Sequence, residues 1–322
     1  MECGDEDRDS RRLERLREKF LSGTHIAFVC GFTFDSTPSV ERMAFTPGGP
    51  ALYSSVAALY SGAFPELYAV YGKDYPKEVL ELLRSLGIGT EHTFGVDKPT
   101  PTFVFPAGES RRESMRVVNR IRLDDCFSNL HVREDLAYFS FTHREIGRST
   151  LERLAAGKRV FADLQGFTRM LDATGRVRMG RPSVDLRLCE FVKGSVGEFG
   201  PGRASPRRLL RRGVREVLVT DGAMGATLYT RDGLMCCSLP EPKGVLSALG
   251  AGDVFGSAYF VKRLAGCNYE ESMRWATALA YTHITRGLIQ FVGRNQMGEI
   301  QSLVSGLAER AEVRRSQYDL AK

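Results

Sequence analysis

From Thr24 onward, short apolar runs ending in glycine alternate with longer segments whose apolar residues recur at helical spacing. HIAFVCG, ELYAVYG, LAYFSF, RVFADLQG, CEFVKG and EVLVTDG are rich in β-branched or aromatic residues. Such runs suit strands buried on both faces. Between them lie the helix-like segments PALYSSVAALYSG, YPKEVLELLRSLG, STLERLAAG and PRRLLRRG. The alternation predicts right-handed strand–helix–strand crossovers and an α/β fold around a mainly parallel sheet.

Two regions break the rhythm. Phe32 to Pro47, and His92 to about Val118, read as strands separated by turn residues rather than by crossover helices. On pattern alone they are ordinary edge hairpins. After Asp253 the chain becomes helical, through GDVFGSAYFVKRLAG, YEESMRWATALAYTHITRG and a last segment, MGEIQSLVSGLAERAEVRR. Residues 1–22 are dominated by charge, with Leu13, Leu16 and Phe20 at helical spacing, and read as a short amphipathic helix or a loosely held tail.

Composition narrows the classes. With 322 residues, 43% of them hydrophobic, the chain has enough apolar material for one large α/β domain or two small ones. Lys and Arg number 45 against 39 acidic residues, a net charge of +6. A basic balance of that size suits a polyphosphate ligand as well as nucleic acid, and the first is preferred here, with no nucleic-acid partner expected. The clusters Arg207-Arg208 and Arg211-Arg212 read as solvated helix faces. The seven cysteines show no C-x-x-C spacing and no neighbouring histidine pair, against both a zinc site and a disulfide framework. No run approaches the length of a bilayer span, and the N-terminus is charged rather than signal-like, so no membrane association and a cytoplasmic location are expected. The five histidines are isolated, and structural roles are expected for them.

The strongest chemical signal is Gly250-Ala251-Gly252-Asp253 at a probable helix start. Glycines let the backbone approach an anion, and the first helical turn presents unpaired N–H groups and partial positive charge. Asp253 could then take a proton from an attacking hydroxyl. Taken alone, the tetrapeptide is equally a glycine-rich turn with Asp253 as its N-cap.

In context, SALGAGDVFGSAYF resembles the C-terminal motif of the PfkB, ribokinase-like carbohydrate kinases, roughly D-T-x-G-A-G-D followed by an aromatic and small residues. Other segments fall in the order that family requires. VLVTDGAMGATLY resembles its strand and nucleotide loop, with Thr220, Gly222 and Gly225 at the matching positions. FVKGSVGEF resembles its N-x-x-E segment, with Glu198 kept and Ser195 where asparagine is usual. CGFTFDS resembles the first strand and its substrate aspartate, Asp35, and TPGGPALYSSVAALYSGA the Gly-Gly segment before the first helix. Gly48 to Pro50 and DLQGF, Asp163 to Phe167, are similar to an archaeal-type branch that includes inositol and nucleoside kinases.

The resemblance implies a three-layer α/β/α sandwich over residues 23–322, with lid segments near 32–47 and 92–118 forming a small sheet over the substrate. It also implies an ATP- and Mg²⁺-dependent kinase. Asp253 would be the base and the Gly250, Ala251 and Gly252 backbone the anion hole, with Gly252 also touching the nucleotide. Asp35, Gly48 and Gly49 would bind the acceptor, Thr220, Gly222 and Gly225 the nucleotide, and Glu198 would hold Mg²⁺ through water. The acceptor would be a small sugar, a polyol such as an inositol, or a nucleoside, and relatives often form homodimers through the lid. Ser247 and Ala248 stand where the family has Asp and Thr, residues that help shape a monovalent-cation site. That departure leaves a non-catalytic ligand-binding relative as the alternative from another class.

Overall fold

The computed structural model describes residues 23–38, 43–105, 115–200, 203–288 and 297–316. The charged stretch 1–22 falls outside them, as do 39–42 and 106–114 within the expected lid segments. The strands are β1 His25–Gly31, β2 Thr33–Pro38, β3 Met43–Gly48, β4 Phe64–Gly72, β5 Gly89–Val96, β6 Thr102–Val104, β7 Arg116–Val118 and β8 Leu136–Ser140. They continue as β9 Arg159–Asp163, β10 Arg169–Leu171, β11 Val177–Met179, β12 Phe191–Ser195, β13 Glu216–Thr220, β14 Ala226–Tyr229, β15 Leu234–Ser238 and β16 Glu312–Ser316.

Ten strands make one sheet in the order β16-β15-β14-β13-β12-β9-β8-β1-β4-β5. From β13 to β5 every neighbouring pair is parallel, and β14, β15 and β16 extend the sheet antiparallel. The fold is α/β, with helices on both faces of this sheet.

Alternate residues of β1 divide between two cores. Ile26, Phe28 and Cys30 join the helices Pro50–Tyr60, Ala251–Leu264 and Tyr269–Arg286 on one face. Ala27 and Val29 join the helices Arg148–Ala155 and Pro206–Arg211 on the other. This is why the parallel strands read as continuous apolar runs rather than alternating ones. Tyr138, Phe161 and Phe260 stack with centroids 4.8 and 5.1 Å apart, clamping the Ala251–Leu264 helix to the sheet centre. Phe161→Ala would open that clamp at a cost of about 3–5 kcal/mol.

β1 leaves the large sheet at Gly31, and its continuation, β2, becomes part of a separate four-stranded sheet, β3-β2-β6-β7. Within it β2 pairs antiparallel with β3 and parallel with β6. Two expectations need correcting. His92–Val96 lies in β5 at the edge of the large sheet, so among the described residues of the second expected segment only Thr102–Val104 and Arg116–Val118 join the small sheet. The last helix ends at Arg310, and Glu312–Ser316 pairs with β15 as an edge strand. There the open backbone edge of β15 overrides helical spacing, and Glu312, Arg314 and Arg315 place charge on an edge that would otherwise invite further pairing.

Candidate active site

The C-terminal ends of β8, β9 and β12 meet the start of the Ala251–Leu264 helix. Gly250 is its N-cap, with φ +74, and a Cβ there would lie 2.3 Å from the Tyr53 ring. Conformation and space both demand glycine. Asp253 sits in the first turn, where its Oδ1 accepts from Ser140 Oγ at 3.1 Å and from Gln165 Nε2 at 3.1 Å. These donors come from the ends of β8 and β9, so the sheet edge itself aims the carboxylate. The Ala251 N–H bonds back to the Ala248 carbonyl at 3.3 Å. Gly252 and Asp253 lie in the helix's first turn, at the positive end of its dipole.

The loop before the helix is also held. His283 Nε2 lies 2.6 Å from the Leu249 carbonyl and therefore donates to it. Burial lowers the pKa of His283, keeping the ring neutral. Leu246 and Ser247 donate their N–H groups to the Ile284 carbonyl. The loop is thus tethered to the last turn of the Tyr269–Arg286 helix.

Across from this helix start stands Asp35 on β2, buried, with its Oδ2 3.3 Å from the donating Tyr53 hydroxyl. Burial pushes its pKa up to about 7; the Tyr53 hydrogen bond opposes the rise and the charge of Asp253 adds to it. Tyr53 therefore touches both sides of the site: its hydroxyl holds Asp35, its ring covers Gly250, and His283 meets that ring edge-on at 5.3 Å. Gly48 and Gly49 lie beside Asp35 with packing reasons of their own. A Cβ on Gly48 would sit 2.3 Å from Asp35 Oδ2, and Gly49, at φ +92, has Gly31 O and Thr33 N each 2.8 Å from a Cβ position.

Thr220 ends β13, and Gly222 and Gly225, both at positive φ, turn the chain into antiparallel β14. A Cβ on Gly225 would meet the Cys237 carbonyl at 2.2 Å. Asp221 to Met224 are exposed at the same sheet edge as Asp253. Val196, Met224, Val245 and Leu246 expose apolar surface on the loops there.

Glu198 requires a correction. It is 1% exposed; its Oε1 accepts from Arg169 Nε and Nη2 at 3.0 and 2.7 Å, and its Oε2 from the Ser195 N–H at 2.7 Å. A carboxylate so engaged is a buried ion-pair partner rather than an open anchor for a hydrated Mg²⁺. Among the described residues no group of three or more His, Cys, Asp or Glu side chains is arranged to hold a metal.

Residues given no role from the sequence complete the site. Lys193 on β12 pairs with Asp163 on β9 at 2.6 Å, and both are buried. Its ammonium would lie 2.9 Å from a Cβ on Gly252, so this cation faces the start of the Ala251–Leu264 helix. A lysine inside a run expected to be buried on both faces is the signal that could have revealed it, because such a charge needs a partner. Ser140 and His283 had no comparable signal, and Gln165, though inside the DLQGF segment, acts like them through a contact distant in sequence.

Residues 204–292 match the model of the pfkB family carbohydrate kinases. The chain carries a pfkB-family segment. It includes both the nucleotide-loop motif and Asp253. A 91-residue stretch is 28% identical to the 5-dehydro-2-deoxygluconokinase of Clostridium perfringens, spanning 28% of this chain and 27% of that protein. A pyrophosphate-dependent kinase of the ribokinase family, solved with a pyrophosphate analog and myo-inositol, superposes with TM-score 0.65 at 14% identity, covering 80% of this chain and 94% of the other. The ribokinase of Arabidopsis thaliana, solved with ribose and ATP, gives TM-score 0.63 at 17% identity over 89% and 99%. At these identities the structures establish the fold that surrounds the pfkB-family segment. No helix among the described residues is long and apolar enough to cross a membrane.

Proposed function

We propose that this chain is an ATP-dependent phosphotransferase acting on a hydroxyl of a small sugar or polyol, with Asp253 as the base. The observation that carries the reading is the placement of Asp253: one carboxylate in the first turn of the Gly250-capped helix, aimed by Ser140 and Gln165. Phosphoryl transfer needs little covalent chemistry from the protein, so positioned N–H donors, cations and a base account for most of what is required. The positive end of the Ala251–Leu264 helix dipole, with the ammonium of Lys193 beside Gly252, would supply positive potential where the transferring phosphoryl oxygens gather. Asp253 would orient the acceptor hydroxyl and receive its proton.

Asp35 would accept hydrogen bonds from acceptor hydroxyls, with β2, β3, β6 and β7 as the covering lid. Exposed Phe45 and Val118 on that sheet are where a homodimer would pair in this reading. Thr220, Gly222 and Gly225 would border the donor phosphates. Apolar Val196, Met224, Val245 and Leu246 favour a nucleotide over pyrophosphate, because an inorganic donor has no base to cover them. The residues described do not form a resident Mg²⁺ site, Glu198 being engaged by Arg169, so no step is assigned to a protein-held ion.

Product formation across sugars, inositols and nucleosides, with ATP and pyrophosphate offered separately, tests the reading. Transfer from ATP to a sugar or polyol is expected. A preference for nucleosides would redirect the acceptor assignment, and donor binding without turnover on any acceptor would favour a non-catalytic relative.

A further inference from the structure

On the sheet face opposite the Ala251–Leu264 helix, a groove of 850 Å³ is rimmed by Arg148, Arg181, Arg187, Arg203, Arg208 and Arg212. Its floor is apolar, where Val184, Leu186, Ala204 and Leu209 belong to the second core. We propose that this groove is a second anion site, built for a compact ligand carrying two or more phosphate groups.

The charge count drives the assignment. Among the described residues Asp185 is the one acid in the groove wall; it pairs with the Arg187 side chain at 2.5 Å, and its single charge is also felt by Arg148 and Arg212. Arg148 pairs with Glu152 at 2.7 Å. Arg203 donates to the Gly197 carbonyl, a neutral acceptor, and has no carboxylate at ion-pair distance among the described residues. Arg181, Arg208 and Arg212 have no carboxylate at ion-pair distance among the described residues. Guanidinium groups gathered on a shared concave wall repel one another, and a multiply charged phosphate ligand relieves that repulsion while accepting bidentate hydrogen bonds.

The groove's size lies in the range of small-ligand pockets, and an apolar floor suits a carrier group between phosphates. A nucleic-acid duplex would need a longer and more open basic surface. The sequence pattern Arg207-Arg208 and Arg211-Arg212 reads as an ordinary solvated helix face until the Arg181–Arg187 segment folds against it.

Calorimetric titration with inorganic tripolyphosphate tests the site. Wild-type protein should bind it in this groove, and Arg208→Ser/Arg212→Ser should weaken that binding roughly tenfold or more, given what charge-assisted hydrogen bonds contribute. Arg208→Lys/Arg212→Lys should fall between the two, since charge remains but the bidentate fork is lost. Any tripolyphosphate site that survives the serine variant, together with an unchanged KM for ATP, belongs to the proposed donor site, which separates failure here from failure of the kinase reading. Unchanged stoichiometry and affinity in the serine variant would overturn the proposal. So would displacement of tripolyphosphate by sulfate at equal ionic strength, which means simple screening, or tighter arginine-dependent binding of a short oligonucleotide, which means a nucleic-acid surface. If the double variant fails to fold, Arg181→Ser carries the same expectations.

Discussion

Asp253 and Asp35 are two carboxylates on opposite sides of one site, and their surroundings differ in kind. Asp253 stands at a helix start and accepts from Ser140 and Gln165, side chains fixed to the central sheet. Asp35 stands on the separate small sheet, and the Tyr53 hydroxyl donates to it in a buried setting that pushes its pKa up to about 7. The first arrangement fixes direction, which a proton acceptor in phosphoryl transfer requires. The second leaves a desolvated carboxylate short of donors, a shortage that acceptor hydroxyls would fill.

The contrast breaks most visibly at Asp253. Asp253→Asn keeps the shape and can retain a bond to Ser140, but it removes the proposed proton acceptor, and turnover is expected to fall by roughly 10²–10⁴. Donor binding should change little. Near-normal turnover in this variant would take the base role away from Asp253.

Asp35→Ala should act on the acceptor instead. Loss of hydrogen bonds to a charged group corresponds to about a tenfold to hundredfold rise in acceptor KM, with donor binding nearly unchanged. Separate titrations of donor and acceptor decide it, and equal weakening of both would merge the two carboxylates into one role.

Asp35 should also leave a mark on stability. Its folded-state pKa of about 7 lies above the ordinary 3.8, so between those values the folded state binds more protons than the unfolded state. Stability therefore falls as pH rises through that window. Asp35→Asn should stabilise the fold at pH 8 by on the order of 2 kcal/mol, read as a higher melting temperature, and have almost no effect at pH 4. Equal shifts at both pH values would mean that the charge of Asp35 is not what strains the fold. In wild-type protein the same titration should weaken acceptor binding below about pH 7, as the carboxylate gains its proton.

What the sequence made legible follows from how local each cause is. The six apolar runs became neighbouring parallel strands because burial on both faces is written into consecutive residues. Gly250 and Asp253 were readable because a helix start is a local event. The partners of Asp253 were not, since Gln165 lies 88 positions away and Ser140 lies 113. Glu198 shows the converse: a motif match located it, and Arg169, which engages it, carried no pattern of its own. Tyr53 carried no reading of its own in a helix-like segment, and only the fold places its hydroxyl on Asp35 and its ring on Gly250.

The smallest effect is expected from K⁺, and it concerns the loop that positions Asp253 rather than the carboxylate itself. A monovalent cation needs several oxygen ligands, and this loop has neutral Ser247 and Ala248 where the resembling kinases have Asp and Thr. Three of the oxygens that remain are already engaged: Ser247 Oγ accepts from the Leu249 N–H at 3.2 Å, the Ala248 carbonyl from Ala251, and the Leu249 carbonyl from His283. Here the His283 bond takes over part of the tethering that a bound cation would give. Replacing K⁺ by a bulky organic cation at fixed ionic strength should therefore change initial rates by less than about twofold, whereas His283→Phe should lower turnover by loosening the helix start. A large, saturable activation by K⁺ would show that backbone carbonyls rearrange into a cation site, and Asp253 would then depend on the ion as well as on the sheet edge for its aim.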